Sequence, residues 1–133
     1  MTIEHQIVLM VDEDHDFSSI IETKLKGEGF DVRPAYAPEV GLKMVEELHP
    51  SLILLDINLP GMTGLDFLVE LKKRMDLKGV RVAFLSAMIN PWSDLAEMNE
   101  VVKKLGVVAY IGKETDLDEL VKRVREIIAM PTA

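Results

Sequence analysis

The chain has 133 residues, 48% of them hydrophobic and 29% charged, a composition that suits one folded domain with its own core and excludes a disordered segment. It contains no cysteine, which rules out disulfides and thiolate metal sites and fits a reducing compartment, and no apolar run has the length of a membrane span or a signal core. A formal net charge of -8 argues against direct contact with nucleic acid or anionic membrane and for a protein partner or a cation, so a cytoplasmic domain is expected.

The first element is the run Ile7-Val8-Leu9-Met10-Val11, continuously apolar as in a strand buried on both faces, and it stops at Asp12-Glu13-Asp14. Phe17, Ile20, Ile21 and Leu25 then recur at helical spacing until Gly27 and Gly29. The acidic turn also suits a helix opening, with Asp16 expected as a cap. Phe30-Asp31-Val32-Arg33 alternates and reads as an edge strand with one solvated face. Val40, Met44, Val45 and Leu48 mark a second helix closed by Pro50.

Leu52-Ile53-Leu54-Leu55 is the next buried run and ends at Asp56. The loop Asn58-Leu59-Pro60-Gly61-Met62-Thr63-Gly64 leads to a helix striped by Leu65, Leu68, Leu71 and Met75, and Lys78-Gly79 turns the chain into Val82-Ala83-Phe84-Leu85, which ends at Ser86. A further helix carries Leu95, Met98, Val102 and Leu105, with Asn90 or Ser93 to cap it. Val107-Val108-Ala109-Tyr110-Ile111 runs into Lys113, and Leu117, Leu120, Val121, Val124 and Ile128 define the last helix behind Asp116.

Strand and helix thus alternate five times, the signature of an α/β domain in which right-handed crossovers place helices on both faces of a parallel sheet. In such sheets ligands bind outside the carboxyl ends of the strands. Asp12, Glu13, Asp56, Ser86 and Lys113 all fall on that edge. Carboxylates held together there repel unless a proton or a cation intervenes. Magnesium takes oxygen ligands, is held by one or two carboxylates, and shares its remaining positions with water and phosphate. A magnesium site completed by a phosphoryl group is the expectation.

These residues carry a resemblance. Val11-Asp12-Glu13, Leu54-Leu55-Asp56-Ile57-Asn58-Leu59-Pro60 with Gly64, Leu85-Ser86-Ala87 and Tyr110-Ile111-Gly112-Lys113 follow one another as in the receiver domain of two-component response regulators, from Ile7 to about Met130. The resemblance implies a flavodoxin-like, doubly wound (βα)5 sheet with strand order 2-1-3-4-5. It implies that Asp56 accepts a phosphoryl group from a histidine kinase or histidine phosphotransfer protein. Asp12, Glu13, Asp56 and the backbone carbonyl of Asn58 would hold Mg2+, or Mn2+ in its place, and Lys113 would neutralise charge on the transferring group.

Ser86 would then hydrogen-bond the phosphate and Tyr110 would turn inward, changing the surface of the fourth helix, fifth strand and fifth helix that controls a downstream protein. No independent substrate is expected, and the chain is expected to be a receiver over residues 1–130 with a short tail, 131–133, and no effector domain. The histidines His5, His15 and His49 have no ligand spacing and read as surface residues.

Two departures from the family pattern stand out. Glu114 follows Lys113 where proline is usual, so a trans bond is expected between them. Ser86 and Lys113 lie 27 residues apart, several more than usual, and the excess brings in Trp92, which is either a partner anchor or a cover for the fourth helix. Met88, near the mouth of the site, would lengthen the life of a phosphoryl group by hindering water.

Other classes remain on the sequence. A haloacid-dehalogenase-like phosphohydrolase also uses an aspartyl phosphate, but it carries a second acid where this chain has Asn58. A receiver that has lost phosphorylation and docks constitutively is a second rival. A flavodoxin-like cofactor binder would need Gly, Ser and Thr in the first loop, which here is acidic.

Overall fold

The computed structural model describes residues 6–87 and 103–130. Five parallel strands, β1 (Ile7–Val11), β2 (Asp31–Ala35), β3 (Leu52–Asp56), β4 (Arg81–Ser86) and β5 (Val107–Gly112), form one sheet in the order β2-β1-β3-β4-β5. This is the flavodoxin-like order expected. Between them lie helices α1 (His15–Gly27), α2 (Pro38–Leu48) and α3 (Gly64–Arg74), and a last helix, Leu117–Ala129, closes the chain. A minor antiparallel hairpin, Asn58–Leu59 with Met62–Thr63, sits outside the sheet.

Side chains alternate across each central strand, so the sheet builds two cores. Leu9 and Val11, Ile53 and Leu55, and Val82 and Phe84 face α2 and α3, where they meet Leu42, Val45, Phe67, Leu68 and Leu71. Val8 and Met10, Leu52 and Leu54, and Ala83 and Leu85 face α1 and the last helix, meeting Ile21, Leu25, Leu120, Val124 and Ile127. Because both faces are covered, β1, β3 and β4 carry no polar alternation. Each fully buried aliphatic side chain contributes about 1.5 to 3 kcal/mol relative to exposure.

The helix stripes need correction at their margins. Ile20 and Val40 are exposed, whereas Ser18, Gly41, Leu42, Phe67 and Ile127 are on the buried faces. An apolar residue one position off the stripe is indistinguishable by type from one on it. The edge strands also differ from the central ones. β2 extends through Pro34, which an edge tolerates because it needs no ladder donor there. In β5 the register jumps between Val107 and Ala109, so Val108 is an extra residue that points to solvent.

Asp14, not Asp16, caps α1, its side chain accepting from Phe17 N. Asp116 caps the last helix as expected. The expected fourth helix, with Leu95, Met98 and Val102, lies outside the described residues, as do Met88, the candidate caps Asn90 and Ser93, and Trp92. Among the described residues no helix is long and apolar enough to cross a membrane.

Candidate functional site

Sheet register puts the polar residues in one row. Asp56 closes β3 opposite Leu85, Ser86 closes β4 opposite Gly112, and Val11 at the end of β1 pairs with Leu55. Single backbone bonds carry the ladders past the strand ends: Asp12 N donates to Ala35 O at 3.0 Å, Ile57 N to Leu85 O at 3.0 Å, and Lys113 N to Ser86 O at 2.8 Å. Asp12, Asp56, Ser86 and Lys113 are therefore held at the carboxyl edge by the sheet itself.

The two carboxylates meet one cation. Asp12 is wholly buried; its Oδ1 accepts from Asp14 N at 2.9 Å, and its Oδ2 lies 2.7 Å from Lys113 Nζ. That second approach is a close pairing of charges without hydrogen-bond alignment, which leaves Asp12 Oδ2 buried with no aligned donor. Asp56 is also buried; its Oδ1 accepts from Asn58 N at 3.1 Å, and its Oδ2 accepts from Lys113 Nζ at 3.5 Å. Phe17, from the first turn of α1, lies beneath the ammonium with Nζ 4.9 Å from its ring centroid, a cation–π contact.

Burial pushes the Asp56 carboxyl above the usual carboxylate range and the Asp12 charge adds to this, while the Asn58 N–H and Lys113 oppose it. Burial alone would lower the Lys113 ammonium, but the Asp12 and Asp56 carboxylates outweigh it, so its pKa is raised. Lys113 is consequently a fixed positive charge across the neutral range.

The loop after β3 is shaped by Gly64. A side chain there would meet Phe84 at 2.7 Å and the carbonyl of Asp56 at 3.0 Å, so only glycine lets α3 start this close to the site. Thr63 and Asp66 form a capping box that fixes that start, Asp66 N donating to Thr63 Oγ1 at 3.0 Å.

Ser86 is buried at the end of β4. Tyr110 is half-buried, its ring stacked on Phe84 with centroids 5.7 Å apart and its hydroxyl inside, where burial raises its pKa. Its carbonyl accepts from Arg123 of the last helix at 3.1 Å. Phe84 thus touches the ring of Tyr110 on one side and bounds the Gly64 turn on the other.

Glu13 stands apart. It is exposed, and among the described residues no three acidic or imidazole side chains lie close enough to share an ion. Asn58 is exposed and pairs with Thr63 in the hairpin. His15 and His49 are exposed, His15 stacking on Tyr36 at 3.8 Å. The Lys113–Glu114 bond is trans, as expected. Phe17 as a support for Lys113 was not legible in the sequence, because its place in the α1 stripe made it look like core.

Two buried carboxylates converging at one edge, one with an oxygen lacking an aligned donor, fit a hard divalent cation with oxygen ligands. With Lys113 opposite, the same edge fits an anion of the phosphate type.

Comparison with known proteins agrees with this geometry. The sequence profile of the response regulator receiver domain matches residues 8–125. The chain is similar to the receiver domain protein of Methanospirillum hungatei JF-1, at 25% identity over 94% of each chain with a TM-score of 0.78. It is similar to a response regulator of Thermotoga maritima at 28% identity, covering 96% of this chain and 100% of that one with a TM-score of 0.77. A second Thermotoga maritima protein, the response regulator TrrA solved in complex with Mg2+-BeF, is 23% identical over 92% of this chain and 98% of that one with a TM-score of 0.72, a likeness of fold.

Proposed function

The chain belongs to the response regulator receiver domain family, and from that membership we propose that it is a phosphorylation switch in which Asp56 accepts a phosphoryl group from a histidine kinase or a histidine phosphotransfer protein. The observation that carries this is the convergence of buried Asp12 and Asp56 on Lys113 at the ends of β1, β3 and β5.

In the proposed transfer a carboxylate oxygen of Asp56 bonds to phosphorus as the P–N bond of a phosphohistidine breaks, and the bonding pair leaves with the imidazole nitrogen. Asn58 N–H holds Asp56 Oδ1, which aims the side chain before reaction. Lys113 stays protonated and offers a point charge to the transferring oxygens. Asp12, Asp56 and the Asn58 carbonyl would hold Mg2+, or Mn2+ in its place, with Glu13 reaching in from its exposed position. When bound, the ion supplies charge neutralisation for the phosphoryl oxygens.

A phosphoryl group on Asp56 changes what Ser86 and Lys113 can bond. Ser86 donates to a phosphate oxygen, and Tyr110, already half inside against Phe84, settles further inward. The fifth strand and last helix move together because Arg123 is tied to the Tyr110 carbonyl. A protein partner reads that altered face. Such a shift is only as large as the difference in bonding between the two states.

Beryllofluoride with magnesium, a mimic of the aspartyl phosphate, tests this on 15N-labelled protein. Amide shifts at Ser86, Tyr110 and Lys113 that vanish in Asp56→Asn are expected. Unchanged spectra would leave constitutive docking as the better reading.

A further inference from the structure

At the opposite, amino end of the strands lies an open cavity of about 530 Å³ between the end of α3, the start of β4, β5 and the end of the last helix. Among the described residues Lys72, Lys78, Arg81, Lys103 and Lys104 surround it, with Asp76 as the one carboxylate, so their formal charges sum to +4. In a chain of net charge -8 this leaves -12 for the remainder. The cavity rim is therefore a local basic patch on a chain that is acidic as a whole.

Lys72, in the last turn of α3, suits the negative end of that helix, and Arg81 serves the end of the last helix, but Lys78 lies beyond α3. Arg81 Nε donates to the carbonyl of Met130 at 3.0 Å, which fixes the wall between β4 and the last helix. The same wall is apolar: Val108, the bulged residue of β5, and Met130 are each 41% exposed, and buried Val80 also lines the cavity.

We infer that this basic cavity is a docking site for an acidic segment of a partner protein that carries an apolar anchor residue. Carboxylates would meet the lysine rim while the anchor covers Val108 and Met130. The rim lysines are exposed, and small-ligand sites bury most of their ligand among convergent polar groups, which favours a peptide over a small anion. A nucleic acid presents a long run of phosphates that extends past this rim onto a chain whose other charges sum to -12, whereas a short acidic segment spans the basic rim alone. The site stands apart from Asp56, so docking needs no phosphorylation and would hold a partner beside the switching face.

The probe is a Glu-rich peptide with one central Leu, titrated into the 15N-labelled full chain without phosphodonor. Expected are amide shifts confined to Gly79, Arg81, Gly106 and Val108, weakening with salt, reduced about tenfold by Lys78→Glu with Lys104→Glu, and reduced when the peptide Leu becomes Ser. No shifts, shifts scattered over the surface, the same shifts with inorganic pyrophosphate, or tighter binding of a single-stranded DNA oligomer would each overturn the inference. Folding of the double variant is checked by its amide spectrum, and the Leu-to-Ser peptide keeps the test independent of any mutation.

Discussion

Lys113 Nζ stands nearer to Asp12 than to Asp56, 2.7 Å from one carboxylate and 3.5 Å from the other. One ammonium thus faces two buried acids and can balance the charge of one, and Asp12, wholly buried and nearer to it, depends on it more. Breaking a buried pair by removing one partner leaves an uncompensated charge. Lys113→Met is therefore expected to destabilise the fold by about 3 kcal/mol in urea denaturation. In an Asp12→Asn background the same substitution should cost far less, and equal costs in both backgrounds would show that the pair is not coupled.

Asp56 gives a pH prediction whose sign follows from its burial. Its pKa is raised, so the ionised form is less favourable in the folded chain than in the unfolded one, and stability is gained as pH falls toward that raised value. Asp56→Asn, which keeps an oxygen for the Asn58 N–H, should raise Tm at neutral pH. The gain should shrink as the wild type protonates under acid, which calorimetry over a pH series would follow. Phosphoryl acceptance should rise with pH through a midpoint above the usual carboxylate range.

Gly64 tests the loop. Gly64→Ala pushes a methyl group into Phe84 and the Asp56 carbonyl. Overpacking of this kind costs about 1 to 3 kcal/mol, so a lower Tm is expected, together with amide shifts at Asp56 and Tyr110 transmitted through Phe84. Unchanged amides at both would mean that the turn and the switch are independent.

Ser86→Ala separates acceptance from switching. Ser86 is not proposed to touch the attacking oxygen before transfer, so phosphorylation should proceed at a rate close to wild type. The Tyr110 and last-helix amide shifts should be strongly reduced. A variant that fails to accept phosphate would move Ser86 from the switch to the transfer step.

Much of this arrangement was legible in the chain because parallel strands covered on both faces must be apolar throughout, so that each polar residue ending a run marks the sheet edge. Asp12, Asp56, Ser86 and Lys113 were found in that way. What the pattern missed is lateral. It could not tell that Lys113 rests on Phe17, since an aromatic two turns before the end of an apolar stripe looks the same whether it fills a core or supports a cation. Nor could it tell that Glu13 is exposed while its neighbour Asp12 is wholly buried, since adjacent residues leave a strand end in different directions. The basic cavity rim was hidden because its cations come from separate segments, around Lys78 and around Lys103, that only folding brings together.

The most direct measurement is the intact mass of the protein after incubation with acetyl phosphate, with magnesium and with a chelator, for the wild type and Asp56→Asn. A single added phosphoryl group that needs both the metal and Asp56 is the predicted result. An unmodified wild type with magnesium present, or an adduct that persists in Asp56→Asn, would contradict the assignment of Asp56 as the phosphoryl acceptor.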